Sequence, residues 1–278
     1  MIYLREFKPS GRKVDHSNLY PYNTLSGKFY ESLEFESITI LYGSNGSGKS
    51  TVLNILANML QLEGAEEYHY GQMYIDRFIE ESSIQMAYNE YGYPVKIPED
   101  SRYIKSEDML YEIKKIQQEE ALENGYLYEA YKRGIDVDEL RDELYGMYGL
   151  TPKGKRIFDA LAFQQEKYSN GETSLQLFIE FLQPDGLYLL DEPEVSLSLD
   201  SQIRLSKLIN DMVRFFNCQF IIATHSPIML AQLNSKIYDF DKTPIKSASW
   251  YELKDVQFMY DFFMKHSNKF ESQKSKHE

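Results

Sequence analysis

The 278-residue chain has a single cysteine, Cys218, which excludes an internal disulfide and any zinc site built from several cysteines. It has no run of about 18 apolar residues, so the sequence predicts no membrane insertion. The first residues carry charges at Arg5, Glu6 and Lys8 and lack the apolar stretch of a secretory signal. These absences predict a soluble, cytoplasmic protein.

Positive charge is also scarce: 30 Lys and Arg face 43 Asp and Glu, for a formal net charge of -13. The average field of such a chain opposes nucleic acid and anionic membranes, although a local basic patch is compatible with it. The acidity is concentrated in residues 106–149, which hold 12 acidic and 5 basic side chains with helical apolar spacing. The simplest interpretation is a solvated helical hairpin, and the alternative is an arm that docks a partner.

The clearest motif spans residues 43–50 and matches the pattern G-x-x-x-x-G-K-[ST] of a phosphate-binding loop. A β-branched run, residues 36–42, precedes the motif, and an apolar helical pattern, residues 50–60, follows it. The glycines let backbone N–H groups turn toward phosphate oxygens, and the next helix directs its positive end at the same anion. The amine of Lys49 can reach the β and γ phosphates, and the hydroxyl of Ser50 can bind Mg²⁺. The predicted nucleotide-binding residues are Gly43, Ser44, Asn45, Gly46, Ser47, Gly48, Lys49, Ser50 and Thr51.

A second motif places two carboxylates at the end of an apolar run, residues 187–190. Asp191 is predicted to hold Mg²⁺ with Ser50. Glu192 follows directly, where a general base or a water-positioning group would lie beyond the γ phosphate. Together with the phosphate loop, this pair indicates hydrolysis of a nucleoside triphosphate.

Two further segments complete a specific order of motifs. Residues 168–172, Tyr-Ser-Asn-Gly-Glu, open an apparent helix about 20 residues before the carboxylates, and Thr-His-Ser at 224–226 closes a strand. The order of the motifs resembles that of ABC-type ATPases: first the phosphate loop, then S-x-G-E, then a strand that ends in Asp-Glu, and then a histidine. The sequence DEPE and the run CQFIIATHSPIML resemble the non-transporter members most, including recombination-repair and overcoming-lysogenization-defect ATPases and small standalone AAA-family ATPases.

The resemblance implies an α/β fold with a mixed β-sheet core and an inserted helical subdomain. The core would comprise residues 1–63 and 166–263, the acidic insertion residues 64–165, and a flexible tail residues 264–278.

The resemblance also implies ATP and Mg²⁺ as ligands, Lys49 and Glu192 as catalytic residues, and His225 as a switch residue on the γ phosphate. Ser169 and Gly171 match signature residues that complete the site of an opposite subunit, so an ATP-dependent homodimer is expected. Ser198 and Asp200 match the D-loop of the family.

Two features of the family could not be assigned. The glutamine that senses the γ phosphate could be Gln72 or Gln85. The residues that could stack on adenine are five aromatic side chains, Tyr3, Phe7, Tyr20, Tyr22 and Tyr30.

These patterns predict an ATPase that switches a partner protein, such as a nuclease or effector in DNA maintenance or phage defence. One alternative is the ATPase subunit of an ABC transporter. Another is a DNA-binding repair-type ATPase, for which the basic residues are Lys153, Lys155, Arg156 and the lysines of the tail.

Overall fold

The computed structural model describes residues 1–12, 14, 19–25, 27–66, 72–109, 125–147, 149 and 170–274. Its centre is a six-stranded sheet in the order β5-β6-β7-β3-β8-β9, in which β9 alone is antiparallel to its neighbour. Its strands are β3 (Ile38–Tyr42), β5 (Arg102–Lys105), β6 (Leu187–Asp191), β7 (Gln219–Ala223), β8 (Lys236–Asp239) and β9 (Lys246–Ala248). The predicted α/β fold with a mixed sheet is confirmed.

A second, antiparallel sheet of three strands packs beside the first in the order β2-β1-β4. Its strands are β1 (Leu4–Lys8), β2 (Leu33–Glu34) and β4 (Ser83–Met86). The side chain of Gln219, buried at the start of β7, accepts hydrogen bonds from the backbone N–H groups of Tyr3 and Leu4 at 2.8 and 2.9 Å. This amide joins the two sheets.

The helices are α1 (Tyr22–Leu25), α2 (Lys49–Met59), α3 (Gln72–Glu81), α4 (Val137–Met147), α5 (Asn170–Phe181), α6 (Leu199–Phe215), α7 (Pro227–Gln232), α8 (Lys254–Lys265) and α9 (Ser267–Lys274). Short 3₁₀ turns form at Pro193–Ser196 and Trp250–Glu252. The expected flexible tail, residues 264–278, includes the end of α8 and all of α9. Among the described residues no helix is long and apolar enough to cross a membrane.

The strands β3, β6 and β7 are buried on both faces, as expected for a parallel sheet covered on each side. Alternate side chains enter two hydrophobic clusters. Ile40, Leu190 and Ile222 pack in the cluster that includes apolar residues of α5 and α6. Leu41 and Ile221 pack in the cluster that includes α2 and the three-stranded sheet. The carboxyl ends of the parallel strands are therefore held at one edge of the sheet.

The segment predicted as a helical insertion, residues 64–165, contributes strands as well as helices. β4 pairs with β1, and β5 pairs in parallel with β6, so both strands belong to the sheets of the core. The helical part has its own small cluster, in which Tyr126, Ala130 and Leu140 are buried. The sequence pattern does not predict β4 and β5 because each strand has only four residues and lies in or beside a polar, Tyr-rich stretch. Four residues show too little alternation of apolar and polar side chains to indicate a strand.

Candidate active site

The phosphate loop (residues 43–50) connects β3 to α2, and its backbone depends on glycine. Gly43, Gly46 and Gly48 have φ angles of 155°, 78° and 101°, which L-residues seldom adopt. At Gly48 a Cβ atom would also lie 2.9 Å from Leu25 Cδ2. The loop therefore curls tightly, as the motif predicts, and it also packs closely against α1.

Lys49 begins α2, and its side chain is buried with only 3% of its surface exposed. Its Nζ donates hydrogen bonds to the carbonyl oxygens of Gly43 at 2.7 Å and Ser44 at 3.2 Å. The same atom lies 3.7 Å from Glu192 Oε1. The ammonium group is thus held over the loop, where bound phosphates would meet it.

Two side chains distant in sequence hold the loop in place. Asp241 Oδ1, just after β8, accepts hydrogen bonds from Ser44 N at 2.9 Å and Ser44 Oγ at 2.7 Å. Lys28 Nζ donates to the carbonyl oxygen of Ser47. Sequence reasoning missed both residues, because neither belongs to a motif.

Asp191 ends β6 and meets α2 across the edge of the sheet. Its Oδ1 accepts a hydrogen bond from Ser50 Oγ at 3.0 Å, and its Oδ2 accepts one from Tyr103 Oη, on β5, at 3.1 Å. Burial raises the pKa of Asp191, while the two hydrogen bonds oppose that effect. The structure therefore brings Ser50 and Asp191 together, as predicted, and adds Tyr103.

The donor set at this point suits Mg²⁺. Ser50 Oγ and Asp191 Oδ1 are hard oxygen donors 3.0 Å apart, and Mg²⁺ commonly takes one or two protein oxygens and completes its shell with water and phosphate oxygens. In the described part of the chain no group of three His, Cys, Asp or Glu residues could hold a metal by itself. Ser50 and Asp191 fit a metal that arrives with a nucleotide.

Glu192 follows in a left-handed conformation, with φ 49° and ψ 50°. Such a conformation is strained for a residue other than glycine and persists only when neighbours impose it. Here the backbone N–H of Glu192 donates to Ala223 O at 2.8 Å, and Ser106 Oγ donates to its carbonyl oxygen. Hydrogen bonds from both neighbouring strand ends fix the turn that aims this carboxylate.

His225 lies two residues beyond the end of β7. Its Nδ1 is 3.8 Å from Glu192 Oε1, and its side chain is 43% exposed. The structure thus places both Lys49 and His225 within 4 Å of the Glu192 carboxylate. Their predicted catalytic roles stay predictions.

A cavity of about 520 Å³ opens over Lys49 and Glu192, and His225 is not among its lining residues. It is lined by Asn45, Gly46, Gly48, Lys49, Ser50, Thr51, Asp191 and Glu192, and also by Tyr20, Tyr103, Lys105 and Ser106. Among the five aromatic candidates for adenine stacking, Tyr20 alone lines this cavity. Tyr3, Phe7 and Tyr22 are buried in the core, and Tyr30 lines a different depression.

The remaining predicted residues lie elsewhere. Gln72 Nε2 donates a hydrogen bond to Asp76 Oδ1 on α3, and Gln85 of β4 pairs with Glu6 of β1. Neither glutamine is among the residues that line the cavity. Gly171 is in the first turn of α5, whereas Ser169 lies outside the described residues. Ser198 caps α6 by accepting a hydrogen bond from Ser201 N, and Asp200 is in the first turn of that helix.

Comparison with known proteins gives one family match. A family model described as "AAA domain, putative AbiEii toxin, Type IV TA system" matches residues 78–231, which include Asp191, Glu192 and His225. The zinc import ATP-binding protein ZnuC of Hydrogenovibrio crunogenus is 22% identical over 229 residues, covering 82% of this chain and 76% of that protein.

Solved structures of similar shape include two SMC head domains. The Smc head domain of Pyrococcus furiosus, bound to the C-terminal domain of ScpA, has a TM-score of 0.49 at 16% identity and covers 94% of this chain and 100% of that chain. The SMC head domain from Thermotoga maritima has a TM-score of 0.41 at 14% identity and covers 89% of this chain and 99% of that chain.

Proposed function

The chain belongs to the AAA-domain family whose model matches residues 78–231, and it is a P-loop ATPase of the ABC type; on this premise we propose that it is an ATP-dependent homodimer that switches a partner protein. The observation that carries the proposal is the convergence of Lys49 and Ser50, at the start of α2, with Asp191 and Glu192, at the end of β6, on one cavity.

The chemistry follows from these positions. Backbone N–H groups of the phosphate loop and the ammonium group of Lys49 would bind the phosphates of ATP, and Tyr20 would contact the base. Ser50 and Asp191 would hold Mg²⁺, which neutralises charge that develops on the β and γ phosphates. Glu192 would orient and deprotonate the attacking water.

The case for a dimer comes from what the cavity lacks. Within the described residues, none of the lining residues belongs to α5, the helix that begins at the S-x-G-E signature. A helix N-terminus carries unpaired N–H groups and partial positive charge that suit a phosphate. In this proposal the signature of one subunit closes the ATP site of the other, and hydrolysis releases the pair.

The test uses Glu192→Gln, which keeps the side-chain shape and removes the base. With ATP and Mg²⁺ at micromolar protein concentration, light scattering after size-exclusion chromatography should show a dimer, and without ATP a monomer. Lys49→Ala should remain monomeric in both conditions. A Glu192→Gln protein that stays monomeric with ATP contradicts the proposed dimer.

The acidic segment is the proposed docking arm for the partner. On α4, Asp138, Glu139, Asp142 and Glu143 are exposed, while Leu140 anchors the helix in its small cluster. Such a face suits a basic partner surface, such as that of a nuclease or another effector acting on nucleic acid. Replacing these four acids with Asn or Gln should abolish capture of the partner by ATP-bound Glu192→Gln and leave ATPase activity unchanged.

A second candidate is the ATP-binding subunit of a transporter, which the similarity to ZnuC favours. It predicts a stable complex with a membrane permease and stimulation of ATPase activity by that permease. For the alternative of DNA binding, Lys153, Lys155 and Arg156 lie outside the described residues, whereas the tail lysines Lys265 and Lys269 lie on α8 and α9.

A further inference from the structure

Glu194, in the turn Pro193–Ser196, is a buried carboxylate that none of the roles above uses. Its Oε1 accepts hydrogen bonds from Thr224 Oγ1 at 2.7 Å and from the backbone N–H of His225 at 2.9 Å. Both donors belong to the segment that follows β7. Glu194 therefore ties the turn after β6 to the turn that carries His225.

The imidazole of His225 faces the same carboxylate. Its Nδ1 lies 3.4 Å from Glu194 Oε1 and 3.8 Å from Glu192 Oε1. His225 Nδ1 and Glu194 Oε2 are both buried and make no hydrogen bond among the described residues. A buried polar atom left unpaired costs about 1–3 kcal/mol, so a small rotation that pairs Nδ1–H with the carboxylate is favoured.

We propose that Glu194 is a positioning residue that holds His225 with Nδ1 toward the carboxylates and Nε2 toward the terminal phosphate. The hydrogen bond made by one ring nitrogen fixes both the rotation of the ring and the place of its proton. Because Nε2 is on the opposite edge of the ring, it then points away from Glu192 and Glu194. This proposal rests on the proposed contact between His225 and ATP.

A purely structural role for Glu194 makes a different prediction. As a mere tie between two turns, it would be replaced well by Gln, whose amide oxygen can still accept from Thr224 Oγ1 and His225 N. As a positioning residue it needs the carboxylate: the unpaired Oε2 is the free acceptor for Nδ1–H, and in Gln, with its oxygen kept at the Oε1 position, an NH₂ group that repels an Nδ1–H takes the place of Oε2.

The experiment is a double-mutant cycle of Glu194→Gln and His225→Gln, followed by ATPase kinetics and thermal unfolding. We expect Glu194→Gln to lower kcat about tenfold, with the KM for ATP and the melting temperature nearly unchanged. In the His225→Gln background the same change should have no further effect. Glu36→Gln, at an exposed carboxylate, is the matched control and should leave kcat unchanged. Independent, multiplicative losses in the cycle would overturn the proposal.

Nitrogen-15 NMR of the imidazoles gives a readout that does not require hydrolysis. The His225 signals, assigned by their loss in His225→Gln, should report hydrogen on Nδ1 in the original chain and a changed distribution in Glu194→Gln. Identical His225 spectra in the two proteins would overturn the proposal. A fully active His225→Gln would instead remove the proposed contact with ATP, and the spectra would still decide whether Glu194 positions the ring.

Discussion

The phosphate loop (residues 43–50) and the carboxylate turn (residues 191–196) lie at the same edge of the central sheet but are built in different ways. The loop takes its shape mainly from its own glycines, and its key lysine bonds to carbonyl oxygens five and six residues away, while Asp241 and Lys28 brace it from outside. The turn takes its shape from side chains far along the sequence, including Ser106, which is 86 residues before Glu192. The difference indicates that the backbone shape of the binding loop is encoded largely by its own residues, whereas the hydrolytic geometry depends more on long-range contacts.

Removing the lysine should have the largest effect on the loop. Lys49→Ala removes a buried ammonium group that is held by Gly43 and Ser44, so affinity for ATP should fall by about 10- to 100-fold. Isothermal titration calorimetry measures this loss. Lys49→Arg keeps the charge and should lose less; equal affinity for ATP in Lys49→Ala and the original chain would contradict the assigned role.

A pair of alanine substitutions separates backbone strain from crowding in the loop. Gly48→Ala and Gly46→Ala each place a Cβ on a residue with positive φ, which costs about 1–2 kcal/mol. Only at Gly48 does the Cβ also meet Leu25 and Thr24, at 2.9 and 3.1 Å. Thermal unfolding and ATP titration should therefore show a greater loss for Gly48→Ala, and equal losses would contradict the packing against α1.

Tyr103→Phe tests the support of the carboxylate turn. It deletes the hydrogen bond to Asp191 Oδ2 and leaves the ring in place, so the Mg²⁺ concentration for half-maximal ATPase activity should rise about three- to tenfold. Tyr188→Phe is the control, because its hydroxyl bonds to Gln183 at the other end of β6. An Mg²⁺ requirement that changes equally in both variants would show that Asp191 is not positioned by Tyr103.

The smallest effect is expected at Glu81, outside both regions. Burial would raise its pKa, but hydrogen bonds from Arg12, Ser10 and Tyr22 dominate and lower it to about 2. A lowered pKa of a carboxylate stabilises the fold above its unfolded pKa of about 4.3, and this contribution is lost as the pH falls toward 2.

Urea unfolding should therefore show that Glu81→Gln is less stable than the original chain at pH 6, with a smaller difference at pH 3.5. The exposed neighbour Glu80→Gln is the control and should differ little at either pH. A stability difference for Glu81→Gln that does not depend on pH would contradict the ionic part of this contact.

The sequence predicts the local parts of the site well. The phosphate loop and the strand ending at Asp191 follow from spacing and from the alternation of strand and helix, since each depends on neighbouring residues. Glu194 stands in the DEPE motif, but its contact with His225 could not be read from that motif, and Tyr103, Ser106 and Asp241 could not be found in this way. Each is one polar residue in an ordinary context, and only the pairing of β5, β6, β7 and β8 with their neighbours brings it to the site.

The boundary of the inserted segment could not be predicted from the sequence either. Residues 102–105 follow a Pro-containing loop and have no flanking strand nearby in sequence, so the pairing of β5 with β6 depends on a contact across more than 80 residues. Short strands of this kind are stabilised by the sheet they join rather than by their own propensity.

The most direct test measures ATP affinity and ATP hydrolysis in parallel for Glu192→Gln. It asks whether the phosphate loop binds ATP while the carboxylate turn serves its hydrolysis. Because Glu192 lies in the turn and the phosphates would bind in the loop, the dissociation constant should stay within about threefold, while kcat should fall by at least about 100-fold. A hydrolysis rate equal to that of the original chain, or a loss of ATP affinity as large as that of Lys49→Ala, would contradict this division of roles.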